Sequence, residues 1–267
     1  MIEYLFKNGC THALTLSFDD GYYDEKLIKI LNRYDIKGTF CLNSLNLQGI
    51  NDCGIERIRE VYSGHEVASH GATHRVLNYL PVTEIYEEIY CDRKRLEQQI
   101  DYPVVGHSYA CNGYSGEVIA ALRTMGILYA RTTENTGAYK LPDDFMLWKP
   151  TCHYKNAPKY ADGFLNSISG WLGYPRLFFV WGHAHELEKN GDWKMWEEFC
   201  EKVGKNSAVW YADNYSIFRY VTALRSLIVA ADRTAVFNPS GIPIWVGCGD
   251  KKYMIPPNGS VRVENSL

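Results

Sequence analysis

Short apolar runs alternate with amphipathic segments along most of the chain. Residues 13–18 (ALTLSF) are apolar and brief, which predicts a buried strand. Residues 23–34 carry Leu27, Ile28, Ile30 and Leu31 at helical spacing, and the rhythm continues with a strand over 38–42, a helix over 55–63 and a strand over 65–69. The longest amphipathic segment, 82–100, sets Ile85, Ile89, Leu96 and Ile100 on one face. Further strands are predicted at 104–109, 127–131, 176–181 and 207–211, with helices at 115–125, 160–172 and 193–203. Such alternation predicts an α/β fold with a parallel sheet or barrel. Past a helix over 217–231 the rhythm changes. Residues 233–238, 243–247 and 260–263 read as short strands parted by Gly, Pro and Asn turns. The expected organisation is a barrel over 1–231 and a small C-terminal β-appendage over 232–267 packed against it, with no internal repeat.

Length and composition narrow the classes. The chain has 267 residues, 46% hydrophobic and 22% charged, ordinary for a globular protein. A net charge of −3 gives no electrostatic reason to expect nucleic acid or an anionic membrane as partner. Twenty tyrosines and seven tryptophans suit sugar rings, with their apolar faces and polar edges, although packing explains any one of them as well. The eight cysteines, including Cys53 and Cys111, form no C-x-x-C pair and read as small buried hydrophobes. The N-terminal stretch Met1–Lys7 lacks an apolar signal-like core, and no run approaches a transmembrane length, so a cytoplasmic location is expected.

The chemistry starts at Phe18-Asp19-Asp20-Gly21. Adjacent carboxylates are an awkward way to end an apolar strand, unless one binds a cation and the other acts as a base beside it. His70-Gly71-Ala72-Thr73-His74 follows the short strand over 65–69. Histidines at i and i+4 can face one way on a helical turn. Asp20, His70 and His74 would form a one-carboxylate, two-imidazole set with positions left for water and substrate. Asp19 is left as the proton acceptor. Each cluster alone is ordinary turn or helix chemistry, but both sit at strand ends, where α/β folds place their sites. An acid is also needed, and His183, just past the apolar strand Phe178–Trp181, is the candidate, with His185 two residues on as its rival.

Ser17–Gly21 resembles the first motif, T/S-F-D-D-G, of the polysaccharide deacetylases (NodB homology, carbohydrate esterase family 4), and His70–His74 resembles the second, H-S/T-x-x-H, with Gly71 in place of Ser/Thr. The resemblance implies a distorted (β/α) barrel of the NodB type and metal-dependent removal of acetyl groups from a carbohydrate. It implies Asp19 as base, one divalent ion on Asp20, His70 and His74, and His183 as the acid of the fifth motif. Zn suits such ligands, with Co, Mn, Ni or Fe as alternatives.

The chain departs from the family in two places. Where the third motif, R-x-P-x-G, is expected, the sequence reads Tyr109-Ala110-Cys111-Asn112-Gly113, without the arginine that holds the aspartate. Asp19 then needs another partner, His107 or a residue from a different strand. The backbone N–H of Asn112 falls where the family places an oxyanion donor. The fourth motif is approximated by Asp143-Asp144 and Trp148, implying Trp148 as a wall of the acetyl pocket and Asp144 near His183, with His153 bordering the pocket. Two alternatives stay open: a hydrolase of small non-sugar amides on the same fold, and a carbohydrate-binding relative with impaired turnover.

Overall fold

The computed structural model describes residues 2–47, 54–171 and 173–264. Among these residues, eight parallel strands form one strongly curled sheet. In chain order they are β1 (His12–Asp19), β2 (Gly38–Leu42), β3 (Glu66–Ser69), β4 (Gly106–Ser108), β5 (Tyr129–Arg131), β6 (Cys152–His153), β7 (Arg176–His183) and β8 (Val209–Tyr211). Their spatial order is β5-β4-β3-β2-β1-β7-β6, with β8 paired to the first half of β1. The segment from Trp148 to His153 bridges the two edges. Trp148 N–H donates to the Ala130 carbonyl (3.0 Å), Thr132 N–H donates to Trp148 (3.1 Å), and Thr151 N–H donates to Phe179 (2.8 Å). The result is a distorted (β/α) barrel, as the alternation predicts.

β1 is buried throughout, which is why it reads as a continuous apolar run rather than an alternating one. The helices Asp24–Arg33 and Val82–Glu97 cover the sheet with the apolar faces expected of them, Leu27, Ile28, Ile30 and Leu31 in the first and Ile85, Ile89 and Leu96 in the second. Beneath the site, a buried polar cluster ties strands together. Glu66 on β3 accepts from Thr39 Oγ1 on β2 (2.7 Å), Tyr129 Oη on β5 (2.5 Å) and the Tyr215 N–H (2.9 Å).

Register explains where the chemistry converges. Asp19 at the end of β1 lies opposite both Cys41 and His183, Ser108 lies opposite Arg131, and His153 opposite Trp181. All are at C-terminal strand ends, the face on which such barrels carry their sites.

Several elements differ from expectation. The helix predicted over 160–172 is Ala157–Ser169, with Pro158 in its first turn, and Leu172 lies outside the described residues. The helix predicted over 217–231 begins at Asn214, where the Asp213 side chain accepts the Ser216 N–H (2.7 Å), and ends at Arg225. Ile228 and Val229 leave it to pair antiparallel with Phe237 and Val236. The strands Ile2–Leu5 and Lys251–Ile255 and the helix Ala184–Asn190 were not expected. Buried Cys41, Cys152, Cys200 and Cys248 fit the packing expectation, Cys111 is exposed, and Cys53 lies outside the described residues.

The C-terminal strands form two three-stranded antiparallel sheets around Val236, Val246, Cys248, Ile255 and Val263. One of them takes its edge from the start of the chain, Ile2 facing Cys248 and Leu5 facing Trp245. We therefore propose 232–267 as an appendage whose sheet is completed by residues 2–5. Among the described residues no helix is long and apolar enough to cross a membrane.

Candidate active site

The chain turns sharply as it leaves β1. Asp20 has φ 76 and Gly21 φ 81, a left-handed region that Asp tolerates and Gly adopts freely. A Cβ on Gly21 would lie 2.8 Å from the Leu47 side chain, so the position has neither the backbone nor the space for another residue. The Asp20 N–H stays bonded to the Cys41 carbonyl (3.0 Å). Its Oδ1 then sits 3.7 Å from His70 Nε2 and 3.9 Å from His74 Nε2.

The two histidines converge through a loop, not the helical turn expected from their spacing. Gly71 and His74 both have left-handed φ, 81 and 63, which no helix accommodates. Glu88, from the helix Val82–Glu97, holds the loop. Its carboxylate accepts the Thr73 N–H (2.7 Å), the Thr73 hydroxyl (2.9 Å) and the Arg75 N–H (3.3 Å). A Cβ at position 71 would approach Glu88 Oε1 to 2.9 Å, a physical reason for glycine there. His70 Nδ1 lies 2.7 Å from the Ser108 carbonyl and donates to it, leaving the Nε2 lone pair for the site. Burial lowers the His70 pKa and favours the neutral ring that a ligand must be. The Asp20, His70 and His74 donor atoms all lie within 4.8 Å of one another. This set fits a divalent ion of the zinc class.

Asp19 is 2% exposed and meets a guanidinium that the motifs did not locate. Arg131, at the end of β5 and fully buried, donates from Nη2 to Asp19 Oδ2 and to Ser108 Oγ, and from Nε to Ser17 Oγ (3.1 Å). Ser108 Oγ in turn donates to Asp19 Oδ2 (3.3 Å). Burial alone would raise the Asp19 pKa, but Arg131, with His70 and His183, holds it well below the usual carboxylate range. Oδ1 is buried without a hydrogen bond, leaving it free to accept a proton. His107 is not the partner. Its Nδ1 faces Ser69 Oγ (3.4 Å), and burial pushes its pKa down to about 3. The sequence signal for Arg131 was an arginine closing an otherwise apolar strand, a charge that requires a buried partner.

His183 lies at the C-terminal end of β7. Its Nε2 is 4.0 Å from both Asp19 Oδ2 and Asp20 Oδ2, and its Nδ1 is 3.5 Å from Glu186 Oε2. Burial lowers its pKa, yet Glu186 and the two aspartates prevail and raise it. His185 is also at the mouth, Nδ1 3.9 Å from Asp20 Oδ2, although the chain turns helical at Ala184 rather than staying extended. Burial and the neighbouring His183 lower its pKa, the reverse of His183. His153 does border the site, its Nε2 2.8 Å from Glu186 Oε2 and its ring edge-on to Trp181 at 4.8 Å.

Three expected residues fall elsewhere. Trp148 is 1% exposed and packs with Phe145, Phe179 and Tyr129 in the core, so it walls no open pocket. Trp181 occupies the mouth instead, beneath the Arg131 guanidinium (4.9 Å) and beside His183 (5.8 Å). Asp144 caps the short turn Phe145–Leu147 through the Met146 N–H (2.8 Å) and faces Arg123, while Glu186 takes the place beside His183 expected for it. The Asn112 N–H donates to the Tyr109 carbonyl (3.3 Å), so the expected oxyanion donor is engaged in its own turn. Its side chain fastens that turn to the Thr133 N–H (2.6 Å).

Residues 7–130 match the polysaccharide deacetylase family. The matched stretch is just under half of the chain and is similar to that family. The match holds β1 to β4 with Asp19, Asp20, His70 and His74, and stops one residue before Arg131. Among curated deacetylases, the chitin disaccharide deacetylase of Vibrio alginolyticus is 39% identical over 84 residues, 28% of this chain. The aligned stretch spans only 20% of that relative's length. The barrel also resembles solved structures. A candidate polysaccharide deacetylase from Mycobacterium smegmatis superposes with TM-score 0.63 at 17% identity, over 84% of this chain and 94% of that one. PuuE allantoinase superposes with TM-score 0.63 at 14% identity, over 80% and 91%. At these identities the likeness concerns the fold.

Proposed function

We propose that the protein is a metal-dependent hydrolase that removes acetyl groups from an N- or O-acetylated carbohydrate. The observation that carries this reading is the convergence of Asp20, His70 and His74 within 4.8 Å beside a buried, charge-paired Asp19. A divalent ion on those three residues would polarise the acetyl carbonyl and acidify a water. Asp19, kept ionised by Arg131, accepts the water's proton on Oδ1. His183 faces the same space through Nε2, with Glu186 behind Nδ1, and protonates the departing nitrogen or oxygen. Trp181 presents its indole beside His183, where an acetyl methyl or a sugar face could pack.

The family match favours a carbohydrate over a small amide. Arg131 supports an active enzyme over an impaired relative, because a guanidinium holds the aspartate even though the third motif lacks one. The test is acetate release from a panel of N-acetylated and O-acetylated oligosaccharides by the metal-loaded protein, with and without chelator. Chelator-sensitive release supports the reading. Loaded protein that releases no acetate from any member would overturn it.

A further inference from the structure

A second group of donors stands beside the first. His153 at the end of β6, His183 at the end of β7 and Glu186 each offer one ligand atom, and these atoms also lie within 4.8 Å of one another. Glu186 Oε2 is at the centre, 2.8 Å from His153 Nε2 and 3.5 Å from His183 Nδ1. Ligand atoms on one tetrahedral zinc, at bonds of about 2.0–2.1 Å, are roughly 3.3–3.5 Å apart. The Glu186–His183 separation already matches, and His153 needs to withdraw by about half an ångström. Both His183 Nδ1 and Glu186 Oε2 are shielded from solvent, and the close polar contact within the group is that of His153 with Glu186. Convergent lone pairs without donors between them are costly unless a proton or a cation fills the gap.

We propose that His153, Glu186 and His183 form a second cation site for a borderline metal such as zinc, weaker than the Asp20 site. It is weaker because the cation must displace the close His153–Glu186 ion pair, which the first set does not contain. The two sites share a boundary, since His183 turns Nε2 toward Asp19 and Asp20 and Nδ1 toward Glu186. An imidazole that binds a cation through Nδ1 keeps its one proton on Nε2, and losing that proton would leave an imidazolate. It is then a far poorer donor than an imidazolium. On the proposed reading of His183 as the acid, filling the second site inhibits turnover.

The experiment is zinc titration of the full chain followed by calorimetry and elemental analysis, with binding counted independently of activity. Wild type should take up two ions in separable steps. His153→Ala and Glu186→Gln should each lose the weaker step and keep the tighter one, and His74→Ala should lose the tighter one. Saturation of wild type at one ion, or two ions retained in both His153→Ala and Glu186→Gln, overturns the site. With an acetylated substrate, turnover by wild type should fall at least tenfold between one and two equivalents bound, and His153→Ala should show no such fall. If stoichiometry behaves as stated but no substrate is turned over, the site stands and the deacetylase reading fails.

Discussion

The mouth of the barrel is built from two stretches of chain that do the same job of fixing charge in different ways. In the first, β1 to β4, the candidate donors Asp20, His70 and His74 come from two short loops that hold the two sequence motifs, and the loops are pinned locally by Cys41 and Glu88. In the second, β5 to the helix after β7, Arg131, His153, Trp181 with His183, and Glu186 come from four elements and keep no motif spacing except at His183. The difference has a physical origin. Ligands of one small ion must converge within a few ångströms from fixed directions, which constrains backbone and sequence together. A buried carboxylate needs only a positive charge nearby, and any strand end around the rim can supply it.

The largest effects should separate the two stretches. His70→Ala removes one of the three proposed ligands without disturbing Arg131, so both metal and turnover should be lost, as elemental analysis and acetate release would show. Arg131→Met should keep the metal yet lose about 10²–10⁴-fold in turnover, the scale of a mispositioned base. It should also cost about 3–5 kcal/mol of stability, because Asp19 is left buried and unpaired. The sign of its pH dependence follows from the lowered Asp19 pKa. A lowered carboxyl stabilises the fold above its unfolded value of about 4 and loses that contribution as pH falls below it. Denaturant melts should therefore show the wild type's advantage over Arg131→Met shrinking below about pH 4. A constant gap across that range would break the pairing argument, and metal loss in Arg131→Met would erase the distinction between the stretches.

A second pair distinguishes the two tryptophans. Trp148→Ala should destabilise by about 3–5 kcal/mol, the usual result of deleting a core aromatic. Trp181→Ala, at the half-exposed mouth, should cost less stability but lower turnover. The reverse pattern in melts and kinetics would restore Trp148 to the pocket.

Much of this site was legible in the sequence, and the misses have identifiable causes. Asp19, Asp20, His70, His74 and His183 all lie where the strand ends were expected, because local spacing and an apolar run determine their placement. Trp148 was misplaced because strand ends expose one face and bury the other, and a degenerate motif does not say which. Asp144 was misplaced for a similar reason: an acidic residue before an apolar turn is as well suited to capping. Arg131 was missed because its partner is 112 residues away, on a strand that only the barrel's curl brings near. The edge strand Ile2–Leu5 depends on pairing with Ile244–Cys248, a contact that no window of sequence contains.

A smaller effect tests what holds the two stretches together. Glu66 joins β2, β3 and β5 beneath the mouth, and burial, with Asp213 nearby, pushes its pKa up to about 8. The folded state thus keeps a proton that the unfolded chain releases above about pH 4.3, so stability falls as pH rises from there toward 8. Glu66→Gln cannot titrate. Its melts should lack that decline, so an advantage of about 1 kcal/mol for wild type at pH 5 should shrink with rising pH and reverse before pH 8. A parallel decline in both proteins would mean Glu66 is ionised in the fold. The smallest change should be Asp144→Ala, a cap loss of about 0.5–2 kcal/mol with turnover unaltered. Impaired turnover at normal stability would return Asp144 to the neighbourhood of His183.

The position of Arg131 also bears on how relatives of this protein can be recognised. An alignment column records which letter follows which, whereas Asp19 senses only a field. A guanidinium supplied from a different strand of the barrel leaves the column blank and the field intact. Chains with these metal-type motifs but no third-motif arginine deserve a search around the whole rim for a buried arginine at a strand terminus.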